Sequence, residues 1–169
     1  MRTATVLACV ATAAIAGSAA ADFIGYYDHA NWDFFTEGAG YVATATDTQL
    51  TLIGDDSSWG GYTEYTITAQ GAGDFVFDWS YYTINSPGWD AGGYIVGGTY
   101  YQLDDGYGPG SGSVSVAVGD GDTIGFYVYS ADGVFGPGYL TITNFTGPVP
   151  APGALALLGL AGLASRRRR

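Results

Sequence analysis

The chain has 169 residues, with sixteen acidic residues, five basic residues and a formal net charge of −11 at pH 7. All five basic residues lie near the two ends, as Arg2 and Arg166 to Arg169, so residues 22–148 contain every carboxylate and no Lys or Arg. This charge distribution excludes nucleic-acid binding, because phosphates would find no cationic partner, and we expect the fold to depend on screening by salt or divalent cations.

The N-terminus has the three regions of a secretory signal peptide. Arg2 precedes an apolar stretch that runs to Ile15, and the small residues Ala19 and Ala21 form an A-x-A cleavage site before Asp22. Cys9 is the only cysteine and lies within this segment. Residues 1–21 are therefore predicted to be removed on export, which would leave a protein with no thiol and no disulfide.

Residues 22–147 are predicted to form one all-β domain. Apolar and polar residues alternate with a period of two, and no long segment has a helical period. With turn clusters rich in Gly and Asp between them, eight or nine short strands are expected in an antiparallel sandwich or jelly roll, a single barrel being the alternative. The predicted strands are Phe23–Tyr27, Tyr41–Thr46, Gln49–Ile53, Tyr62–Thr68, Asp74–Tyr82, Tyr94–Leu103, Gly112–Val118, Asp122–Ser130 and Gly138–Phe145.

The stretch "VSVAVGDGDTIGFYV" has the pattern of a β-hairpin. Val114, Val116 and Val118 alternate with small residues before the loop, and an alternating run follows it. Between them, Gly119–Asp122 has the Gly and Asp residues that tight connections require. The sequence therefore predicts that these two strands pair with each other.

Three groups of polar residues are candidates for catalysis or metal binding. His29, the only histidine, lies near Asp28 and Asp33, but no nucleophile motif accompanies it, and a solvated loop histidine is favoured. Sixteen acids also provide glycosidase-like carboxylate pairs by chance, so no catalytic residue is predicted.

Calcium is the candidate metal because it prefers oxygen ligands, although turn formation explains the clustered aspartates better. The calcium candidates are Asp104, Asp105, Asp120 and Asp122, with Asp55 and Asp56 as a further pair.

Aromatic residues and one carboxylate crowd the middle of the chain. In the doublets Tyr81-Tyr82 and Tyr100-Tyr101, successive side chains of a strand point to opposite faces, so one ring of each doublet should face outward. Exposed Tyr and Trp rings stack on sugars, and an aspartate binds sugar hydroxyls. A purely structural role in the core is the alternative. The candidate glycan-binding residues are Tyr82, Trp89, Asp90, Tyr100 and Tyr101.

The C-terminal stretch "VPAPGALALLGLAGLASRRRR" differs from the rest of the chain. Prolines separate it from the domain, and residues 153–165 contain only Ala, Leu, Gly and Ser. A helix over residues 149–165 would be about 26 Å long, which is marginal against a hydrocarbon core of ~30 Å. Residues 148–169 are therefore predicted to form a tail with a proline knuckle, a short apolar helix that crosses the membrane weakly and temporarily, and an arginine cluster that stays in the cytoplasm. A permanent single-span anchor is the alternative.

This tail resembles a PEP-CTERM sorting signal. Val149, Pro150, Ala151 and Pro152 match the proline motif, with Ala151 where glutamate is common, and the terminal cluster is Arg166, Arg167, Arg168 and Arg169. The resemblance implies recognition by an exosortase-like transpeptidase, transient insertion in the inner membrane, and transfer to the cell surface or release. More weakly, the segment Gly119–Phe145 resembles CUB-like β-sandwich domains of bacterial surface proteins, which implies an extracellular binding or matrix module.

Three functions follow from these features. The leading prediction is a non-enzymatic, exported protein of the cell surface or extracellular matrix, sorted and trimmed by an exosortase-like enzyme. The alternative is a glycan-binding module on the same export route, with exopolysaccharide as the partner and calcium as a candidate cofactor. A secreted hydrolase is third.

Overall fold

The computed structural model describes residues 22–149, which contain ten strands in two antiparallel sheets. Two short 3₁₀ helices, Gly25–Tyr27 and His29–Asn31, precede the strands. The strands are β1 (Asp33–Thr36), β2 (Tyr41–Thr46), β3 (Gln49–Ile53), β4 (Gly61–Thr68), β5 (Gly73–Thr83), β6 (Asp90–Val96), β7 (Thr99–Asp104), β8 (Gly108–Val118), β9 (Thr123–Ser130) and β10 (Tyr139–Thr146).

The strands form two sheets of five. In the first sheet the order is β1-β4-β9-β6-β7, and in the second it is β2-β3-β10-β5-β8. The predicted all-β antiparallel sandwich is therefore confirmed, with ten strands in place of eight or nine.

The core lies between the two sheets and is rich in aromatic rings. Phe75 and Phe77 of β5 contact Phe126 of β9 across the sandwich, with ring centroids 5.5 and 5.0 Å apart. These rings are fully buried, as are Leu140 and Ile142 of β10. Each buried Phe or Leu contributes about 1.5–3 kcal/mol. Packing of this kind explains how a domain without a disulfide is held together.

The predicted hairpin around Gly119–Asp122 is wrong. Strand β8 belongs to the second sheet and β9 to the first, so the connection carries the chain across the sandwich. The amide of Ala69, at the end of β4, donates to the carbonyl of Asp122, and the amide of Gly121 donates back to the carbonyl of Ala69. The loop is therefore secured by a neighbouring strand of the first sheet. An alternating pattern on both sides of a Gly-Asp turn does not reveal which sheet each strand joins.

Two other predicted strands differ from those observed. The segment Phe23–Tyr27 forms a 3₁₀ turn that buries Phe23 and Tyr27, with Gly25 in the left-handed region at φ +62°. The segment Tyr94–Leu103 is interrupted by Gly97 and Gly98, whose φ angles of +57° and +78° suit a two-residue hairpin turn between β6 and β7. The sequence prediction also missed the short edge strand β1.

Strand β5 runs from one end of the sandwich to the other. At its start, Gly73 lies against Pro148, whose carbonyl accepts a hydrogen bond from the Tyr27 hydroxyl. At its other end, Thr83 precedes the loop that leads to β6. Eleven residues at ~3.3 Å per residue place these ends about 33 Å apart. The chain therefore leaves the sandwich, at residues 148–149, at the end opposite the loop after Thr83.

The predicted terminal segments lie almost entirely outside the described residues. These are the signal peptide with Ala19 and Ala21, and the tail residues Pro150, Ala151, Pro152 and Arg166 to Arg169. Between residues 22 and 149, no helix has the length and apolar character needed to cross a membrane.

Candidate functional site

A cleft of about 390 Å³ opens at the end of the sandwich where β5 ends. It lies between the loop from β5 to β6 and the loop from β9 to β10, and its volume is in the usual range of small-molecule sites. Two aromatic side chains in it are well exposed, Trp89 at 48% and Phe135 at 75%. The residues that line it are Ile84, Asn85, Ser86, Trp89, Asp132 and Phe135.

Backbone hydrogen bonds fix the two loops against each other. The carbonyl of Trp89 accepts from the amide of Ala131 at 2.7 Å, which ties the start of β6 to the end of β9. The amide of Trp89 in turn donates to the carbonyl of Ser86 at 3.3 Å, closing a turn. The backbone beneath the Trp89 ring is therefore held in place, and the ring is presented to solvent by a fixed scaffold.

Asn85 organises the polar side of the cleft. Its side chain is only 5% exposed, and its Nδ2 donates to the carbonyl of Val134 at 3.1 Å and to Oδ1 of Asp132 at 3.4 Å. Its Oδ1 accepts from the amide of Ser86. The amide of Val134 also donates to Oδ1 of Asp132. Hydrogen bonds among the described residues thus use Oδ1 of Asp132 and leave Oδ2 for a hydroxyl of a ligand.

Asp90, which follows Trp89, is buried and does not face solvent. Its Oδ2 accepts a hydrogen bond from the Thr83 hydroxyl at 2.8 Å, and its Oδ1 is buried with no partner among the described residues. Burial raises the pKa of the Asp90 carboxyl, against the opposing effect of hydrogen bonds from Ser130 and Thr83. Asp90 therefore supports the loop from within and is not placed to contact a ligand, contrary to the sequence prediction.

A second buried carboxylate, Asp55, connects three loops at the same end of the sandwich. It accepts hydrogen bonds from the amides of Ala39, Ser57 and Gly60 and from the Ser57 hydroxyl. Burial acts to raise the pKa of the Asp55 carboxyl, but the four hydrogen bonds outweigh it and hold the pKa below its usual value. The carboxylate also lies against Gly133, which is in the left-handed region at φ +59°. Asp55 thus supports the loop that carries Asp132 and Phe135.

The remaining candidate glycan-binding residues lie elsewhere. Tyr82 projects from the outer face of the second sheet, while Tyr81 is buried, as the doublet pattern predicts. Tyr100 and Tyr101 are both about 43–44% exposed, because β7 is an edge strand. Tyr100 donates to Glu64 at 2.6 Å on the outer face of the first sheet, and Tyr101 stacks on Tyr94. The five predicted residues therefore do not form one site.

His29 has a structural role. Its Nδ1 lies 3.0 Å from the Tyr65 hydroxyl and its Nε2 lies 2.9 Å from the carbonyl of Thr46, while its ring stacks on Phe23 at 4.5 Å. The expectation of a freely solvated histidine is wrong, because the ring is half-buried and both nitrogens are engaged. Both ring nitrogens therefore link the 3₁₀ turn to neighbouring strands of the sandwich.

Two of the aspartates considered for calcium, Asp104 and Asp122, accept hydrogen bonds in their own turns. Asp104 accepts from the amide of Gly106 at 2.7 Å, and Asp122 accepts from the amide of Gly119 at 2.6 Å. In the described part of the chain, no three His, Cys, Asp or Glu side chains are grouped so that they could hold a metal ion. Asp104 and Asp105 therefore do not combine with Asp120 and Asp122 into a calcium site.

Sequence analysis found one ring of the cleft, Trp89, and missed Phe135, Asn85 and Asp132. These three come from two loops that are about fifty residues apart in the chain. The only signal in the sequence was "DGVFGPG", a glycine-rich turn that contains an isolated large aromatic residue. An aromatic residue in such a turn has no strand face to bury it, which is a reason to consider it for binding.

No protein-family model and no curated protein sequence matches the chain. Among solved structures, the chain is similar to a family 61 carbohydrate-binding module in complex with β-1,4-galactotriose, at 12% identity over 72% of this chain and 90% of that chain, with a TM-score of 0.44. It is also similar to a family 35 carbohydrate-binding module from Clostridium thermocellum, at 16% identity over 66% and 87%, with a TM-score of 0.36. These likenesses concern the sandwich and bear on no residue of the cleft.

Proposed function

We propose that the domain is a non-catalytic module that binds an uncharged glycan in the cleft between Trp89 and Phe135. The observation that carries this proposal is the pairing of two exposed rings with the Asn85–Asp132 polar group on one fixed scaffold. The rings can pack on the apolar faces of sugar rings, while Oδ2 of Asp132 accepts from a sugar hydroxyl. A site made of apolar walls and a few directed polar atoms is typical of small-ligand recognition.

The negative charge of the domain limits which classes of glycan it can bind. Residues 22–149 contain sixteen carboxylates and no Lys or Arg, so a uronic acid, sulfate or phosphate group would meet only repulsion. We therefore expect binding to neutral polysaccharides and no binding to anionic ones at low ionic strength.

A glycan array tests this selectivity. The probes are neutral glucans, galactans, mannans and xylans beside alginate and polygalacturonate, each with calcium and with EDTA. Retention of neutral glycans that is unchanged by EDTA is the expected result. Binding of the anionic polymers alone, or of no glycan at all, would contradict the proposal.

We further propose that the protein reaches the cell surface through the PEP-CTERM route implied by its tail. An exosortase-like enzyme would act near Pro150 and Pro152, after transient insertion of the apolar segment in the inner membrane. The exit of the chain at residues 148–149, about 33 Å from the cleft, supports this route, because processing there leaves the cleft accessible.

Mass spectrometry of the surface-exposed protein tests the processing step. We expect the recovered C-terminus near residue 150, since the proline motif begins at Val149. A protein recovered from the surface with Arg169 intact would contradict the sorting proposal and would favour a permanent anchor.

A further inference from the structure

The outer face of the second sheet carries side chains in three ordered rows that the cleft does not use. The first row runs across all five strands at the end nearer the cleft, and none of its members is charged. Its members are Tyr41, Ile53, Tyr139, Tyr82 and Pro109. Its three tyrosines are between 39% and 53% exposed, whereas Ile53 between Tyr41 and Tyr139 is buried, and the rings of Tyr82 and Tyr139 are 6.3 Å apart.

The second row consists entirely of hydroxyl side chains. Its members are Thr44, Thr51, Thr141, Ser80 and Ser111, which are paired in register from one edge of the sheet to the other. The hydroxyls of Thr51 and Thr141 lie 3.1 Å apart and form a hydrogen bond across two strands. With strands ~4.8 Å apart, each row is about 19 Å long. This length suits an extended ligand better than a single sugar.

The third row contains the only carboxylate of the three rows, and that carboxylate is already engaged. Asp78 accepts hydrogen bonds from the Ser113 hydroxyl and from Nδ2 of Asn144, and these lower the pKa of its carboxyl. The other members of the row are Thr46, Gln49, Thr143 and Ser113. In a domain with sixteen acids, the first two rows therefore present aromatic and hydroxyl groups without a carboxylate, and the third row carries one ionised, hydrogen-bonded carboxylate.

We infer that this face is a second binding surface, whose ligand is an uncharged polysaccharide chain that lies across the strands along the tyrosine row. The tyrosine rings would contact the apolar faces of the sugars, and the adjacent Thr and Ser hydroxyls would exchange hydrogen bonds with the sugar hydroxyls. The tyrosine row and the hydroxyl row carry no charge, and this is the complement of an uncharged polymer. A basic protein partner would be expected to meet carboxylates, which the first two rows lack.

The test compares variants of the full chain in binding to a soluble neutral polysaccharide and to its trisaccharide. Tyr139→Ala removes the central ring, and Ser80→Asp places a carboxylate in the middle of the hydroxyl row; both positions are solvent-accessible, so folding can be checked by circular dichroism. Phe35→Ala is the control, since Phe35 is 53% exposed on an edge strand of the other sheet. Trp89→Ala distinguishes binding at the outer face from binding in the cleft, because Trp89 lines only the cleft.

We expect Tyr139→Ala and Ser80→Asp to weaken binding of the soluble neutral polysaccharide at least about tenfold. Phe35→Ala should leave that binding unchanged. Trisaccharide binding should depend on Trp89 and not on Tyr139. Polymer binding that is lost only in Trp89→Ala would overturn the inference and leave the cleft proposal intact. A self-association that disappears in Tyr139→Ala would also overturn it, since it would assign the face to a second copy of the chain.

Discussion

Trp89→Ala should weaken the binding of short neutral oligosaccharides about thirtyfold. The ring is half exposed above a backbone that Ala131 and Ser86 hold in place, so its truncation removes contact area without releasing the scaffold. Tryptophan is among the residues whose truncation costs most at binding sites, about 2 kcal/mol or more, which corresponds to roughly a thirtyfold increase in Kd. Isothermal titration calorimetry with the oligosaccharide selected by the array measures this change.

Phe35→Ala is the matched control for this experiment. Phe35 is exposed to a similar degree, but it lies on β1 and contributes nothing to the cleft. Its removal should leave both Kd and the melting temperature near the wild-type values. If Trp89→Ala bound the oligosaccharide as tightly as Phe35→Ala does, the cleft would not be the binding site.

Asp55→Ala should destabilise the domain by about 3 kcal/mol or more, because removal of the buried carboxylate leaves three backbone donors without partners, at about 1–3 kcal/mol each. The orphaned donors would be the amides of Ala39, Ser57 and Gly60. Since Asp55 also lies against Gly133, we expect glycan affinity to fall with stability. Chemical denaturation and calorimetry on the same preparation measure both effects.

Comparing the stability of the wild type and of Asp55→Asn over a range of pH shows whether the charge of Asp55 or only the shape of its side chain stabilises the domain. The pKa of Asp55 is lowered in the folded state, so its ionisation contributes stability above its ordinary pKa of ~3.9, and that contribution is lost as the pH falls through the folded value. The wild type should therefore be more stable than Asp55→Asn at pH 7, and the difference should shrink below about pH 4. A difference that is independent of pH would show that the ionised form has no special role.

The sequence predicted the interior of this protein well, because alternation is a direct consequence of strand geometry. Ile124, Phe126 and Val128 are fully buried as their spacing indicated. The edges were predicted less well. Strand β1 contains adjacent exposed aromatics, Phe34 and Phe35, and therefore shows no alternation to detect.

Prediction of the candidate site was limited for a different reason. The cleft is assembled by hydrogen bonds between loops, such as the one from Asn85 to Val134, and these depend on which strands become neighbours. The mistaken hairpin at Gly119–Asp122 shows that strand partners could not be obtained from local pattern alone. Trp89 was found because it is conspicuous, whereas Asn85 and Asp132 resemble many other turn residues.

The position of β10 affects how the domain would bear a mechanical load. The chain departs just beyond β10, and β10 lies between β3 and β5 in the middle of its sheet. If a glycan bound at the cleft were pulled against the departing chain, the force would run along the strand axis. Separating β10 would then require both of its ladders to shear at once, whereas an edge strand can be peeled away one hydrogen bond at a time.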